Sequence, residues 1–145
     1  MPLAMSQSEC ETLLSEPHIG VISVERQNRA PMCVPMWYTY APGGDVCIWT
    51  GRTSAKMRLM ERYGRFSLCV QTGQPPYKFV SVEGRVSSAN VIDYERHLRP
   101  LVYRYLGERD GKKYLVEYGG PSAVANDLWV RMTPEAWYSE DYSKS

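Results

Sequence analysis

The segment Trp49-Thr50-Gly51-Arg52-Thr53-Ser54-Ala55-Lys56 concentrates residue types that handle an anion. An apolar run ends in a threonine and a short loop follows. Hydroxyls and a lysine then open a stretch of good helix formers. The first turn of a helix leaves backbone N–H groups without partners and carries the positive end of the dipole, so it stabilises an anion. Thr53 and Ser54 add hydroxyl donors, while Arg52 and Lys56 add charge-assisted ones. The same residues also describe an ordinary Ser/Thr cap followed by a solvated lysine. Spacing alone leaves both readings open.

Elsewhere the chain is poor in ready-made chemistry. It has no glycine-rich nucleotide loop, nucleophile elbow or paired-histidine zinc helix. Cys10, Cys33, Cys47 and Cys69 form no C-x-x-C pair, and His18 and His97 lie far from metal-ligand spacing. No metal site is expected, and the thiols read as reduced and structural. Both histidines read as structural too. The 11 tyrosines and 4 tryptophans against 2 phenylalanines suit pockets and subunit interfaces, because each such ring keeps one wet end. A small barrel with many half-exposed wall positions would use them equally well.

These residues must be positioned by a small chain. A length of 145 residues fits one domain, 1–145, with a core over about 6–142, and a real hydrophobic core needs no disulfides. Hydrophobic residues at 43% and charged residues at 23% exclude a disordered tail or a collagen-like chain. A net charge of +1 gives no bulk electrostatic reason to expect nucleic acid or an anionic membrane. No apolar run is long enough to span a bilayer. Met1 to Ser15 carries Glu9 and Glu11 and lacks the layout of a signal peptide. The expectation is a soluble, cytoplasmic domain.

Ser6-Gln7-Ser8-Glu9 reads as a capping box opening a helix that ends before Pro17. Ile19 to Glu25 reads as a strand, and Gln27-Asn28-Arg29 as a turn. Met32 to Tyr40 is a second strand interrupted at Pro35, where a missing donor argues for an edge or a bulge. Ala41 to Asp45 is a hairpin loop, and Val46 to Thr50 a third strand. Ala55 to Arg62 is a helix capped by Thr53 or Ser54. The alternation of Phe66, Leu68 and Val70 predicts a half-buried strand. Tyr77 to Val86 is a longer one. Val91, Tyr94, Leu98, Leu101, Val102 and Tyr105 fall at helical spacing, with Pro100 bending or dividing that helix. Lys112 to Tyr118 reads as one more short helix, and Leu128 to Met132 as a last strand. The class is α+β, mainly β: a small antiparallel split β-barrel with short peripheral helices.

The Thr-x-x-x-Ser-x-Lys spacing of Thr50, Ser54 and Lys56, next to Trp49, resembles the flavin-phosphate loop of pyridoxamine 5′-phosphate oxidase. The chain as a whole resembles short members of the FMN-binding split-barrel superfamily, which includes the flavin/deazaflavin-dependent oxidoreductases. The matching pieces keep the family's order. They are Ile19-Gly20-Val21-Ile22-Ser23, Pro35-Met36-Trp37-Tyr38, the Ser54/Lys56 turn, Arg65-Phe66-Ser67-Leu68, Pro76 to Gly84 and Arg131-Met132-Thr133-Pro134.

The resemblance implies that Lys56 and Ser54, with Arg52 and Thr53, hold a cofactor phosphate. Trp49, Thr50 and Gly51 would flank the ring or ribityl chain. Backbone from Val34 through Pro35 and Met36 to Trp37 would lie along the isoalloxazine. It also implies a homodimer with the cofactor at its interface, which Gln74 to Tyr77 or Trp137 and Tyr138 would reach from the partner. The chain lacks the long arms that contact pyridoxal phosphate in the vitamin oxidases, which argues against that activity. The implied cofactor is FMN or coenzyme F420, with the closing Thr133-Pro134-Glu135 favouring F420. The implied activity is hydride transfer to or from a small conjugated or quinone-like substrate. The alternative on the same barrel is a non-catalytic flavin or tetrapyrrole carrier or sensor. No catalytic acid is assigned; Tyr38 and Tyr77 are candidates only through their nearness to the expected pocket.

Overall fold

A computed structural model describes residues 2–145. Seven antiparallel strands form one sheet in the order β2-β1-β5-β6-β7-β4-β3. They are β1 (Gly20–Arg26), β2 (Arg29–Met36), β3 (Tyr38–Thr39), β4 (Val46–Thr50), β5 (Arg65–Gln71), β6 (Lys78–Val91) and β7 (Leu128–Asp141). The helices are α1 (Gln7–Ser15), α2 (Ala55–Tyr63) and α3 (Arg99–Tyr118), the last preceded by a π-turn at Tyr94–Leu98. The architecture is α+β, mainly β, and the sheet curls into a half-barrel.

Local chemistry sets the helix ends. The Ser6 hydroxyl accepts from the Glu9 amide at 3.1 Å, and the Glu9 carboxylate accepts from the Ser6 amide at 2.8 Å. That is a complete capping box. Ser54 caps α2 by accepting from the Met57 amide at 3.2 Å. Gly64 ends α2 with φ 72°, a left-handed position that favours glycine.

Strand burial follows the period of two. In β5, Phe66, Leu68 and Val70 are buried while Arg65, Cys69 and Gln71 are exposed. β6 and β7 are each longer than their sequence pattern predicts, because Ser88–Val91 pairs with Leu128–Arg131 and Thr133–Asp141 pairs with Lys78–Arg85. Register shifts at Glu83/Gly84 and Val86/Ser88 break the β6–β7 ladder, and such bulges bend a strand. The chain break expected at Pro35 falls two residues later, at Trp37, between β2 and β3. Pro35 itself stands on an edge strand, where its missing donor costs no ladder bond.

Two apolar clusters result. The larger joins α1 and α2 to the inner face through Leu13, Leu14, Ile22, Ile48, Met57, Met60 and Leu68. The smaller lies under α3 and includes Cys47, Leu98, Leu101, Val102, Leu115 and Trp129. β4 therefore feeds both clusters, with Val46 and Ile48 in one and Cys47 in the other. This explains its unbroken apolar run.

One helical expectation needs correction. Val91 belongs to β6, not to a helix. Lys112 to Tyr118 does lie in a helical segment of its own, 108–118, which the non-helical Gly107 (φ 78°, ψ 172°) separates from the first half of α3. Pro100 stands where the π-turn Tyr94–Leu98 gives way to α3, in keeping with a helix bent or divided at that proline. Among the described residues no helix is long and apolar enough to cross a membrane.

Candidate functional site

A cleft of about 460 Å³ opens where β4 ends and α2 begins. That volume lies within the roughly 300–1,000 Å³ of small-molecule sites. One wall comes from the sheet, its loops and the start of α2: Pro35, Met36, Trp37, Trp49, Thr50, Gly51, Lys56 and Asp127. The other comes from α3: Leu101, Tyr114 and Tyr118.

The sheet wall is held by directed bonds. Thr50 is 2% exposed, and its hydroxyl lies 3.0 Å from that of Ser54, which locks the β4–α2 corner. The Trp49 indole N–H donates to the Asp127 carboxylate at 2.8 Å, fixing the ring plane. Trp37 stacks on Tyr105 with centroids 5.1 Å apart and planes 6° apart. The Tyr105 hydroxyl in turn donates to the His18 carbonyl at 2.8 Å and accepts from the Tyr38 amide at 3.1 Å.

Lys56 projects from the first turn of α2 into this cleft. Among the described residues it makes no ion pair. Burial lowers its pKa from the ordinary lysine value, since no nearby carboxylate offsets the loss of water. The amides of Ala55 and Lys56 meet no acceptor among the described residues. A bound anion would answer both deficits.

Seven of the residues singled out from sequence line the cleft: Pro35, Met36, Trp37, Trp49, Thr50, Gly51 and Lys56. Five do not. Val34 packs partly buried against the larger core. Ser54 turns its hydroxyl to the helix cap and to Thr50. Arg52 donates to the Asn126 carbonyl at 3.0 Å, pinning the loop before β7. Thr53 is exposed beside the turn, and Tyr77 is exposed at the start of β6.

Tyr38 is also removed as a proton donor. It is fully buried, its hydroxyl donates to the Leu14 carbonyl at 2.7 Å, and burial raises its pKa. The histidines have structural partners. His18 meets Glu16 at 2.9 Å, and His97 stacks on Trp129 at 4.9 Å.

Leu101, Tyr114, Tyr118 and Asp127 were not singled out from sequence. The excess of tyrosine and tryptophan was the one signal pointing toward Tyr114 and Tyr118, and none pointed toward Leu101 or Asp127. Trp37 meets Tyr114 at 5.6 Å, Tyr114 meets Tyr118 at 5.8 Å, and Tyr118 meets Trp49 at 5.4 Å. Four rings thus line one continuous arc.

A curled antiparallel half-barrel with an aromatic cleft beside a helix start defines a split-barrel protein. The chain belongs to the pyridoxamine 5′-phosphate oxidase family, whose model matches residues 6–138. Among curated proteins none matches the chain. It is similar to a solved F420 reductase at 21% identity and TM-score 0.73, covering 88% of this chain and 94% of that one. The protein Rv2991 from Mycobacterium tuberculosis gives 22% identity and TM-score 0.74, over 99% of this chain and 89% of that one. An FAD and heme binding protein from Mycobacterium smegmatis gives 14% and 0.71, over 97% and 73%. Identities this low establish the shared fold.

Proposed function

We propose that the chain is a homodimeric oxidoreductase that passes a hydride between bound FMN or F420 and a small conjugated substrate. The observation that carries this reading is the unpaired Lys56 ammonium at the start of α2, beside the aromatic cleft. The family match and the similarity to an F420 reductase support it.

The Lys56 ammonium and the amides of Ala55 and Lys56 would hold the cofactor phosphate. Thr50 and Ser54 act behind them, keeping the corner rigid rather than donating to the ligand. Trp49 and Gly51 would flank the ribityl chain, and backbone from Pro35 to Trp37 the ring. When bound, a flavin or deazaflavin supplies the centre that accepts or gives the hydride. The chain contributes position and a dry apolar surround.

A second copy would pack on the outer sheet face. Pro35, Val21, Cys69, Ser81 and Tyr138 form a row there in register across five strands. Val21 and Tyr138 are exposed apolar residues in that row. Tyr77, away from this chain's cleft, would then serve the partner's. Light scattering at micromolar concentration should report twice the chain mass; the single mass would reject the dimer.

Titrating FMN and F420 into the protein and following absorbance or fluorescence tests the main reading. One of them should bind with Kd below about 100 μM, or roughly 5.5 kcal/mol. Binding of neither would reject it. The similarity to an FAD and heme binding protein favours one rival, a carrier without turnover. A quinone and enone panel with the reduced, loaded protein separates the two: turnover supports the oxidoreductase, and binding without turnover the carrier.

A further inference from the structure

The two halves of α3 are attached to the body in different ways. In the first half, Arg104 donates to the Ser15 and Glu16 carbonyls, both at 2.9 Å. Tyr105 donates to the His18 carbonyl. From residues 108–118 no side chain bonds outside the helix among the described residues; Lys112 pairs with Glu108 of its own turn at 3.1 Å. What holds this half in place is apolar contact alone, through Leu115, Gly111 and the tyrosine rings.

Glycines bound it on both sides. Gly107 has φ 78°, and Gly119 and Gly120 have φ 119° and 69°. These are conformations that side-chain-bearing residues rarely adopt, and each is a place where the chain can pivot. Gly111 gives the segment a close seat, since a Cβ there would lie 2.5 Å from Tyr103 Cδ1. The outward side is bare, with Val116 78% exposed.

This half carries Tyr114 and Tyr118 into the cleft. Their hydroxyls make no hydrogen bond among the described residues. Tyr114 already touches Trp37, with ring centroids 5.6 Å apart and tilted by 51°. No planar ring fits between rings in contact, because stacking needs about 3.5 Å on each side. A ring can stack between Trp37 and Tyr114 only if Tyr114 withdraws.

We infer that residues 108–118 form a hinged lid whose Tyr114 and Tyr118 close on a planar conjugated ring, with Trp37 as the fixed wall. The inference rests on the cleft being the ligand site of the proposed function, but it concerns the ring and not the phosphate. Its probes are therefore lumiflavin and the 5-deaza analogue of lumiflavin, which carry the ring without the phosphate.

Amides of 108–118 should exchange faster than those of 99–106 in the free protein, and slow when a probe ring binds. Tyr114→Ala should weaken lumiflavin and FMN alike by roughly five- to 100-fold, as expected for loss of one stacking partner. Tyr114→Phe should retain affinity, which separates stacking from a folding defect. Equal probe affinity in Tyr114→Ala and the parent, or equal exchange in the two halves of α3, would overturn the lid. FMN binding without Tyr114 dependence rejects the lid and leaves the phosphate site standing. Tyr114-dependent ring binding with no preference for FMN over lumiflavin supports the lid and rejects the phosphate site. Failure of every ring to bind rejects both.

Discussion

The sheet wall and the helical wall of the cleft have similar residues but opposite mechanics. Trp37 and Trp49 are pinned by stacking on Tyr105 and by a hydrogen bond to Asp127. Tyr114 and Tyr118 ride on a helical segment bounded by glycines, whose side chains bond only within that segment. The difference teaches that aromatic content does not define a binding site. What each ring can do depends on how its backbone is tied down. A fixed wall gives orientation, and a movable one gives access.

The largest expected effect tests the fixed wall's foundation. Ile48 is fully buried in the core beside the cleft. Ile48→Ala should cost about 2–5 kcal/mol, from lost burial and the cavity left behind. Val116→Ala, on the outer side of the other wall, should stay within about 0.5 kcal/mol. Denaturant titration of both variants measures the contrast, and equal losses would break the comparison.

A finer version uses one oxygen atom. Tyr105→Phe removes a hydroxyl that bonds both the His18 carbonyl and the Tyr38 amide. It should cost about 1–2 kcal/mol of stability. Tyr114→Phe removes a hydroxyl with no protein partner and should cost nothing measurable. Thermal melts of the pair would show whether the two halves of α3 are really held differently.

The fixed wall was far more legible in the sequence than the movable one. Trp49 to Lys56 is a continuous stretch, so the strand end, the cap and the lysine could be read together. Ser6 with Glu9 announces a helix start because capping is local chemistry. The ends of β6 and β7 were missed because Ser88–Val91 is a strand only by pairing with Leu128–Arg131, and Thr133–Asp141 only by pairing with Lys78–Arg85. Those pairings join segments far apart in the chain. Tyr114, Tyr118 and Asp127 reach the cleft only through the fold, and no spacing rule connects them to Trp37. Ser54 and Arg52 were rightly placed at the turn, yet their side chains serve the turn itself. Hydroxyl and guanidinium groups at such a corner have backbone partners within reach.

The smallest expected effect lies away from both walls. Hydrogen bonds from Lys144 and then from the Ser6 amide lower the Glu9 pKa from 4.5 to about 2. A carboxyl whose folded pKa is depressed stabilises the fold fully above its unfolded value and loses that contribution as pH falls. The parent's margin over Lys144→Ala should therefore shrink between pH 4.5 and about 2. The pair is exposed, so screening keeps the change small. Acid titration followed by circular dichroism reads it, and a constant margin would contradict the assignment.

The most direct test of the phosphate site compares FMN with riboflavin in the parent and in Lys56→Ala. Loss of one charge-assisted hydrogen bond, about 1.5–3 kcal/mol, should weaken FMN by roughly ten- to 150-fold. Riboflavin, which lacks the phosphate, should bind both proteins equally, and the fold should be unchanged. Equal FMN affinity in Lys56→Ala and the parent would contradict the account.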